Sequence, residues 1–166
     1  MIALQITSLK HLMNQLLVGD SFDIFLLEEA VISTANTYTI DGHINVDFYS
    51  SEEQNETCIP YEFQPWSEIK GLCFNLIKGK HTPLYFKFVF HLKPEQAFVL
   101  LTKHNSDVDA TMLKAMVLTI RYDGSKAILT TATAYHTFVM SKEPDIIWDK
   151  ALMQYLSSKG ISYEQL

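Results

Sequence analysis

A nine-residue run of strict alternation constrains the fold of this chain more than any other sequence feature. From Leu84 to Leu92, apolar side chains occupy every second position, and the positions between them carry Tyr85, Lys87, Val89 and His91. Successive side chains of a strand point to opposite faces of its sheet. The pattern therefore predicts a strand with one face buried and the other at least partly wet.

Four stretches have the apolar spacing of amphipathic helices. They are residues 9–17, 66–77, 94–103 and 144–158. Other apolar segments are rich in β-formers: Ile2–Ile6, Ile24–Leu27, Ala30–Ile32, Thr37–Ile40, Ile44–Tyr49, Val117–Tyr122 and Lys126–Val139. The polar stretch Ser50–Thr57 has no periodicity and is expected to be a loop.

Two Asp-Gly pairs predict tight turns between strands. Asp41-Gly42 would join Thr37–Ile40 to a returning strand at Ile44–Tyr49, and Asp123-Gly124 would close a second hairpin. A two-residue turn there would set Arg121 opposite Lys126, which is a repulsive pair. Either that turn is longer than two residues, or the two charges splay apart.

Hairpins together with four helices predict a single α+β domain over residues 1–166, with mostly antiparallel strands covered by about four helices. No regular alternation of strand and helix is found, and no Gly-rich loop follows a strand. A nucleotide-binding parallel sheet is therefore disfavoured.

The segment Thr7–Gly19 is echoed 60 residues later by Ser67–Gly79. The match suggests two related αβ units, with halves at about 1–60 and 61–140, although ordinary αβ packing also explains it. In either case, both helices should cover the same kind of sheet face, with Gly19 and Gly79 in equivalent turns.

Charge and cysteine content narrow the functional classes. The net charge is −6 and Arg121 is the only arginine. Because arginine is the preferred reader of guanine and phosphate, a conventional duplex-DNA reader is disfavoured. Cys58 and Cys73 form no CxxC pattern, and no signal peptide or apolar run of about 18 residues is present. We expect a cytoplasmic protein with no membrane span, metal or cofactor.

The first candidate site is a basic cluster after the second helix: Lys78, Lys80, His81, Tyr85 and Lys87. Lysines interleaved with aromatic side chains can hold single-stranded nucleic acid. Cations at the end of a helix also complement its dipole, which is a structural explanation of the same residues.

The second candidate site draws on dispersed residues: Glu28, His91, Arg121 and His136. This enzyme hypothesis predicts a cleft in which at least two of them lie within hydrogen-bond reach. Glu28 and Glu29 should point to opposite faces of a strand, so they should not act as an acid/base couple.

The leading functional hypothesis is a non-catalytic binding or interaction protein, in its sharpest form an accessory to nucleic-acid processing. Recognisable catalytic and metal-binding motifs are absent from the sequence. The alternatives are the dispersed-site enzyme and a structural homodimer joined at an exposed strand edge.

Several strings resemble a family of short, uncharacterised bacterial proteins. They are Phe22-Asp23, Thr39–Gly42, Ile77–Lys80, Thr82–Leu84, Phe90–Leu92, Ile120–Tyr122 and Trp148-Asp149. The resemblance implies a bacterial, cytoplasmic, single-domain protein and transfers no functional residues. The repeated order of strand, helix and hairpin also resembles the unit of sliding-clamp processivity proteins.

Overall fold

The computed structural model describes all residues from Met1 to Leu166 and has an α+β fold, as the sequence predicts. The strands are β1 (Ala3–Ile6), β2 (Phe25–Ser33), β3 (Thr37–Asp41), β4 (Gln64–Pro65), β5 (Tyr85–Leu92), β6 (Leu113–Tyr122), β7 (Ala127–Tyr135) and β8 (Tyr163–Gln165). The helices are α1 (Leu9–Leu17), α2 (Trp66–Ile77), α3 (Pro94–Lys103) and α4 (Glu143–Ser158). Short 3₁₀ turns lie at Val46–Phe48 and Ala110–Met112.

All strands belong to one antiparallel sheet. Seven of them lie in the order β3-β2-β5-β6-β7-β1-β8, and β4 pairs with the beginning of β2. The C-terminal β8 pairs with β1, so the two ends of the chain lie at the same side of the sheet.

The inner face of the sheet carries the core. The alternation of β5 buries Phe86, Phe88 and Phe90, as predicted, within a single cluster of 29 residues. From α2, Trp66 packs edge-on against Phe88 and Phe90, and its indole N–H donates to the Leu16 carbonyl at 2.9 Å. This bond satisfies a buried polar group and ties α2 to α1.

The outer face of the sheet is polar and only partly covered. Tyr85, Lys87, Val89 and His91 are all half-buried on this face. Lys87 lies beside Arg121 of β6, and its ammonium pairs with Glu29 at 2.7 Å. The chain therefore presents charged side chains across the strands of an open sheet face.

A bulge in β2 reshapes one end of this face. The register of β2 against β5 shifts between Leu27 and Glu29, so Glu28 is an extra residue in the ladder. Glu28 bonds to His91 and Glu29 pairs with Lys87, which lie on the same side of β5. The expectation that the two glutamates point to opposite faces is wrong, because it assumed an unbroken strand.

The chain leaves the sheet at Gly42. The Gly42 N–H donates to the Glu28 carbonyl at 2.8 Å, and its own carbonyl accepts from Gln64 at 2.8 Å. β4 takes over as the neighbour of β2 from this point. A Cβ at Gly42 would lie 1.7 Å from the Leu27 carbonyl oxygen, so only glycine fits.

Both Asp-Gly turns differ from the simplest expectation. Asp41-Gly42 does not close a hairpin, and Ile44–Tyr49 is not a strand, because residues 42–44 bridge to 62–64 instead. The turn at Asp123–Lys126 is longer than two residues, which sets Arg121 opposite Ile128 and away from Lys126.

The echoed helices are only partly equivalent. α1 and α2 both contribute to the common core, as expected. Gly79 has a positive φ of 153°, whereas Gly19 does not, so the two turns differ and that expectation is wrong. Lys70 of α2 bonds to the Gly19 carbonyl at 2.8 Å and pairs with Asp23, whereas its counterpart Lys10 is exposed. An internal duplication stays a prediction.

Substitution of Gly42 tests the close approach of its Cα to the Leu27 carbonyl. We expect Gly42→Ala to lower the free energy of unfolding by more than about 3 kcal/mol, because the methyl group meets backbone that is fixed in the sheet. Urea unfolding of the variant and of wild type measures this difference in the free energy of unfolding. The control is Gly71→Ala on an exposed position of α2, where nothing lies within 4 Å of the added Cβ. It should stabilise the protein by about 1 kcal/mol. A Gly42→Ala protein as stable as wild type would contradict the contact.

Candidate functional site

A cleft of about 370 Å³ opens at the end of the sheet where β5 stops. One wall is the strap, which we define as residues 43–63 between Gly42 and β4. The other walls are α3 and the start of β6. Leu26, Phe63, Leu92, Ala97 and Leu113 make much of the lining apolar. A largely apolar concavity with a few polar groups is the usual form of a small-molecule site.

His91 of β5 is a polar side chain on the sheet side of the cleft. Its Nε2 is hydrogen-bonded to Oε2 of Glu28, the bulged residue of β2. The His91 side chain is 13% exposed and that of Glu28 is 40% exposed. A carboxylate on Nε2 favours the neutral ring that carries its proton there.

The other ring nitrogen of His91 is available. Nδ1 has no hydrogen-bond partner within the chain, and no buried side-chain nitrogen or oxygen lacks one, so Nδ1 is reached by solvent. In the Nε2-protonated ring, Nδ1 is an acceptor or a base. Glu28 thus orients the imidazole and leaves one nitrogen for a ligand.

Phe63 holds the strap against this pair. Its buried ring lies between two histidines, with centroid distances of 4.4 Å to His43 and 4.7 Å to His91. His43 Nδ1 lies 3.0 Å from Asp41 Oδ1, and its Nε2 lies 3.4 Å from Glu62 Oε1. The hydrogen bond to Asp41 raises the pKa of His43, with smaller contributions from the charges of Asp41 and Glu62.

The strap also bonds to α3. The Tyr61 hydroxyl donates to Glu95 Oε1, and this bond is the main reason that the pKa of Tyr61 rises to about 12. Lys93 Nζ lies 5.9 Å from the centre of the Tyr61 ring. These contacts join the strap to the first turn of α3 across the cleft.

A second bulge lies on the far wall. The register of β6 against β7 shifts between Leu113 and Ala115, so Lys114 is the extra residue. Lys114 lines the cleft and has no ion-pair partner. Bulges often re-aim side chains beside functional sites, and here two of them flank one cleft with a glutamate and a lysine.

The dispersed candidate residues divide into two groups. Glu28 and His91 lie within hydrogen-bond reach, and of these two His91 lines the cleft. Arg121 lies on the same face but four residues from Val117, the partner of His91, which is about 13 Å along β6. His136 is exposed beyond β7, where its N–H donates to the Met112 carbonyl, and it does not line the cleft.

The basic candidate cluster lies at the other end of β5. Lys80 and His81 are exposed in the segment between α2 and β5, and Lys78 Nζ lies 5.7 Å from the Phe74 ring centre. Tyr85 and Lys87 are on the outer face, where Glu29 neutralises Lys87.

Sequence reasoning missed Tyr61, Phe63 and Lys114, which line the cleft, and His43, which packs against Phe63. They come from the strap and a bulge, neither of which has a local sequence pattern. The structure brings together no group of three or more His, Cys, Asp or Glu side chains that could hold a metal ion.

The titration of His43 tests its hydrogen bond to Asp41 at the beginning of the strap. Its raised folded-state pKa means that protonated His43 stabilises the fold at low pH, and this contribution is lost as the pH rises through the folded pKa. We expect the NMR titration midpoint of His43 to fall in Asp41→Asn. Because the Asp41 bond is the largest cause, Glu62→Gln should lower it less. Equal midpoints in wild type and Asp41→Asn would contradict the pairing.

Comparisons with known proteins give a family and nothing beyond it. No curated protein matches the chain, and no solved structure matches it. None of the four helices has the length and apolar character needed to cross a membrane. A family model described as "Family of unknown function (DUF5721)" matches residues 15–164, from α1 through β8. The chain therefore belongs to this family of unknown function.

Proposed function

We propose that the protein is a non-catalytic binding protein and that the cleft beside His91 holds a small organic ligand. The observation that carries the proposal is the His91–Glu28 pair at the edge of the cleft. The carboxylate fixes the ring, and Nδ1 is left to accept a hydrogen bond. In such sites the apolar walls provide affinity, and the preorganised polar groups fix the orientation of the ligand.

The chemistry of the lining favours binding over covalent catalysis. The hydroxyls of Tyr61 and Thr111 already donate to Glu95 and Asp109. Neither cysteine lines this cleft, so the lining offers no free thiol as a nucleophile. The ligand that fits has an apolar body and an N–H or O–H group directed at His91 Nδ1.

The second candidate is a general acid–base enzyme, and the same pair favours it. A histidine oriented by a carboxylate can remove a proton from a bound substrate at Nδ1 and return it. Proton transfer of this kind needs no nucleophilic side chain. It would use Glu28 and His91, without Arg121 or His136.

The accessory role in nucleic-acid processing stays a proposal. It is supported by the exposed Lys78, Lys80 and His81, and by Tyr85 and Lys87 on the outer face next to Arg121. The pairing of Lys87 with Glu29 weakens it, because part of the positive charge is already neutralised.

We propose a bacterial, cytoplasmic protein. Cys58 and Cys73 are both free thiols, and burial raises the pKa of Cys73 to about 12. Free thiols suit a reducing compartment. The bacterial source follows only from the resemblance of the sequence strings.

A fragment screen by ligand-observed NMR tests the cleft. We expect fragments that combine an apolar ring with an N–H or O–H donor to bind wild type and to lose about tenfold in affinity in His91→Phe, because one hydrogen bond is lost. The matched control is His81→Phe, which changes a histidine outside the cleft. Chemical conversion of a bound fragment would favour the acid–base enzyme.

The proposal is contradicted if fragments that shift the amide signals of Phe98 and Leu113 bind His91→Phe and wild type equally. It also fails if no fragment shifts these signals at all.

A further inference from the structure

The sheet has two free edges, and they differ. β8 is only three residues long and carries Glu164. β3 has five residues, Thr-Tyr-Thr-Ile-Asp, all exposed except the half-buried Ile40. Natural sheets protect their edges with short strands, lysine, proline or bulges. β8 has the first of these protections, whereas the only protection of β3 is the charge of Asp41 at its end.

The free backbone groups of β3 can be identified from its neighbours. The N–H of Gly42 points to the Glu28 carbonyl of β2, so by alternation Ile40 and Tyr38 also point their backbone groups towards β2. The Leu84 N–H donates to the Ser33 carbonyl, which confirms that Ser33 points away from β3 towards β5. The backbone groups of Thr37, Thr39 and Asp41 therefore point outward from the sheet.

We propose that β3 pairs antiparallel with β3 of a second copy of this chain, centred on Thr39. In this register the outward groups of Thr39 face those of Thr39 in the second copy, and Thr37 faces Asp41. About six backbone hydrogen bonds then form, and every outward group of the strand has a partner.

The same register places complementary side chains opposite each other. Tyr38 of one copy faces Ile40 of the other, and the two-fold axis makes this contact twice. Aromatic and β-branched residues are favourable cross-strand partners, and they approach most closely at positions that are not hydrogen-bonded. No like charges face each other, since Asp41 is opposite Thr37. A one-residue slip would lose both contacts and misalign the hydrogen bonds.

The ends of β3 define the limits of the pairing. At one end, the chain turns through Thr34–Asn36 into β2. At the other end, the outward N–H of His43 already donates to the Asp41 carboxylate at 2.9 Å. The paired segment is thus short, and we expect a weak dimer with a dissociation constant between about 10 µM and 1 mM. Because each copy carries a charge of −6, added salt should strengthen the dimer.

Proline substitution at the two edges tests the proposal by sedimentation over a range of protein concentrations. Thr39→Pro removes an outward N–H that makes no bond within the chain, and we expect it to weaken the dimer at least tenfold. The matched control is Gln165→Pro on β8. Leu166 donates to the Ala3 carbonyl, so the N–H of Gln165 also points outward. This control should leave the dimer unchanged. A chain that stays monomeric up to about 1 mM overturns the proposal.

Amide hydrogen exchange of the wild-type protein gives a test that needs no variant. The amides of Thr37, Thr39 and Asp41 should become protected as protein concentration rises, and those of Tyr163 and Gln165 should not. A dimer that forms without this protection, or that is unchanged in Thr39→Pro, overturns the β3 pairing. The same exchange experiment can be repeated with an added extended peptide of unrelated sequence. If the β3 amides become protected only when the peptide is present, the edge binds a different partner and the proposed dimer is overturned.

Discussion

The contact between Gly42 and the bulged part of β2 is the constraint on which the candidate site depends. Gly42 lies so close to the Leu27 carbonyl that no other residue fits, and it bonds to Glu28 on one side and to Gln64 on the other. Here β3 leaves the sheet, β4 takes its place and the strap begins. The bulge at the same point leaves both Glu28 and Glu29 on the outer face, where Glu28 meets His91 and Glu29 meets Lys87.

The strap and the histidine pair form one connected arrangement. Phe63 contacts both His43 and His91, so the base of the strap rests on the imidazole that Glu28 orients. Two residues before Phe63, Tyr61 joins the same end of the strap to α3 through Glu95. Because each wall of the cleft contacts the next, the position of His91 is fixed by packing as well as by its hydrogen bond.

The sequence predicts the regular parts of this fold and misses the irregular ones. The four helices, β5 and the hairpin of β6 and β7 follow from local periodicity, which depends only on neighbouring residues. The Asp41-Gly42 pair looks like a hairpin turn, but its conformation is decided by contacts with Leu27 and Gln64, distant in sequence. Glu28 and His91 were among the candidate residues, but their meeting depends on the pairing of β2 with β5, which no local sequence pattern specifies.

The orientation of the His91 ring is the most direct test of this account. Long-range ¹⁵N–¹H NMR correlations distinguish the two neutral tautomers of a histidine. We expect neutral His91 to carry its proton on Nε2, with Nδ1 unprotonated, and Glu28→Gln to change this distribution. A neutral ring protonated on Nδ1, or a tautomer ratio that is the same in wild type and Glu28→Gln, would contradict the claim that Glu28 orients the His91 imidazole.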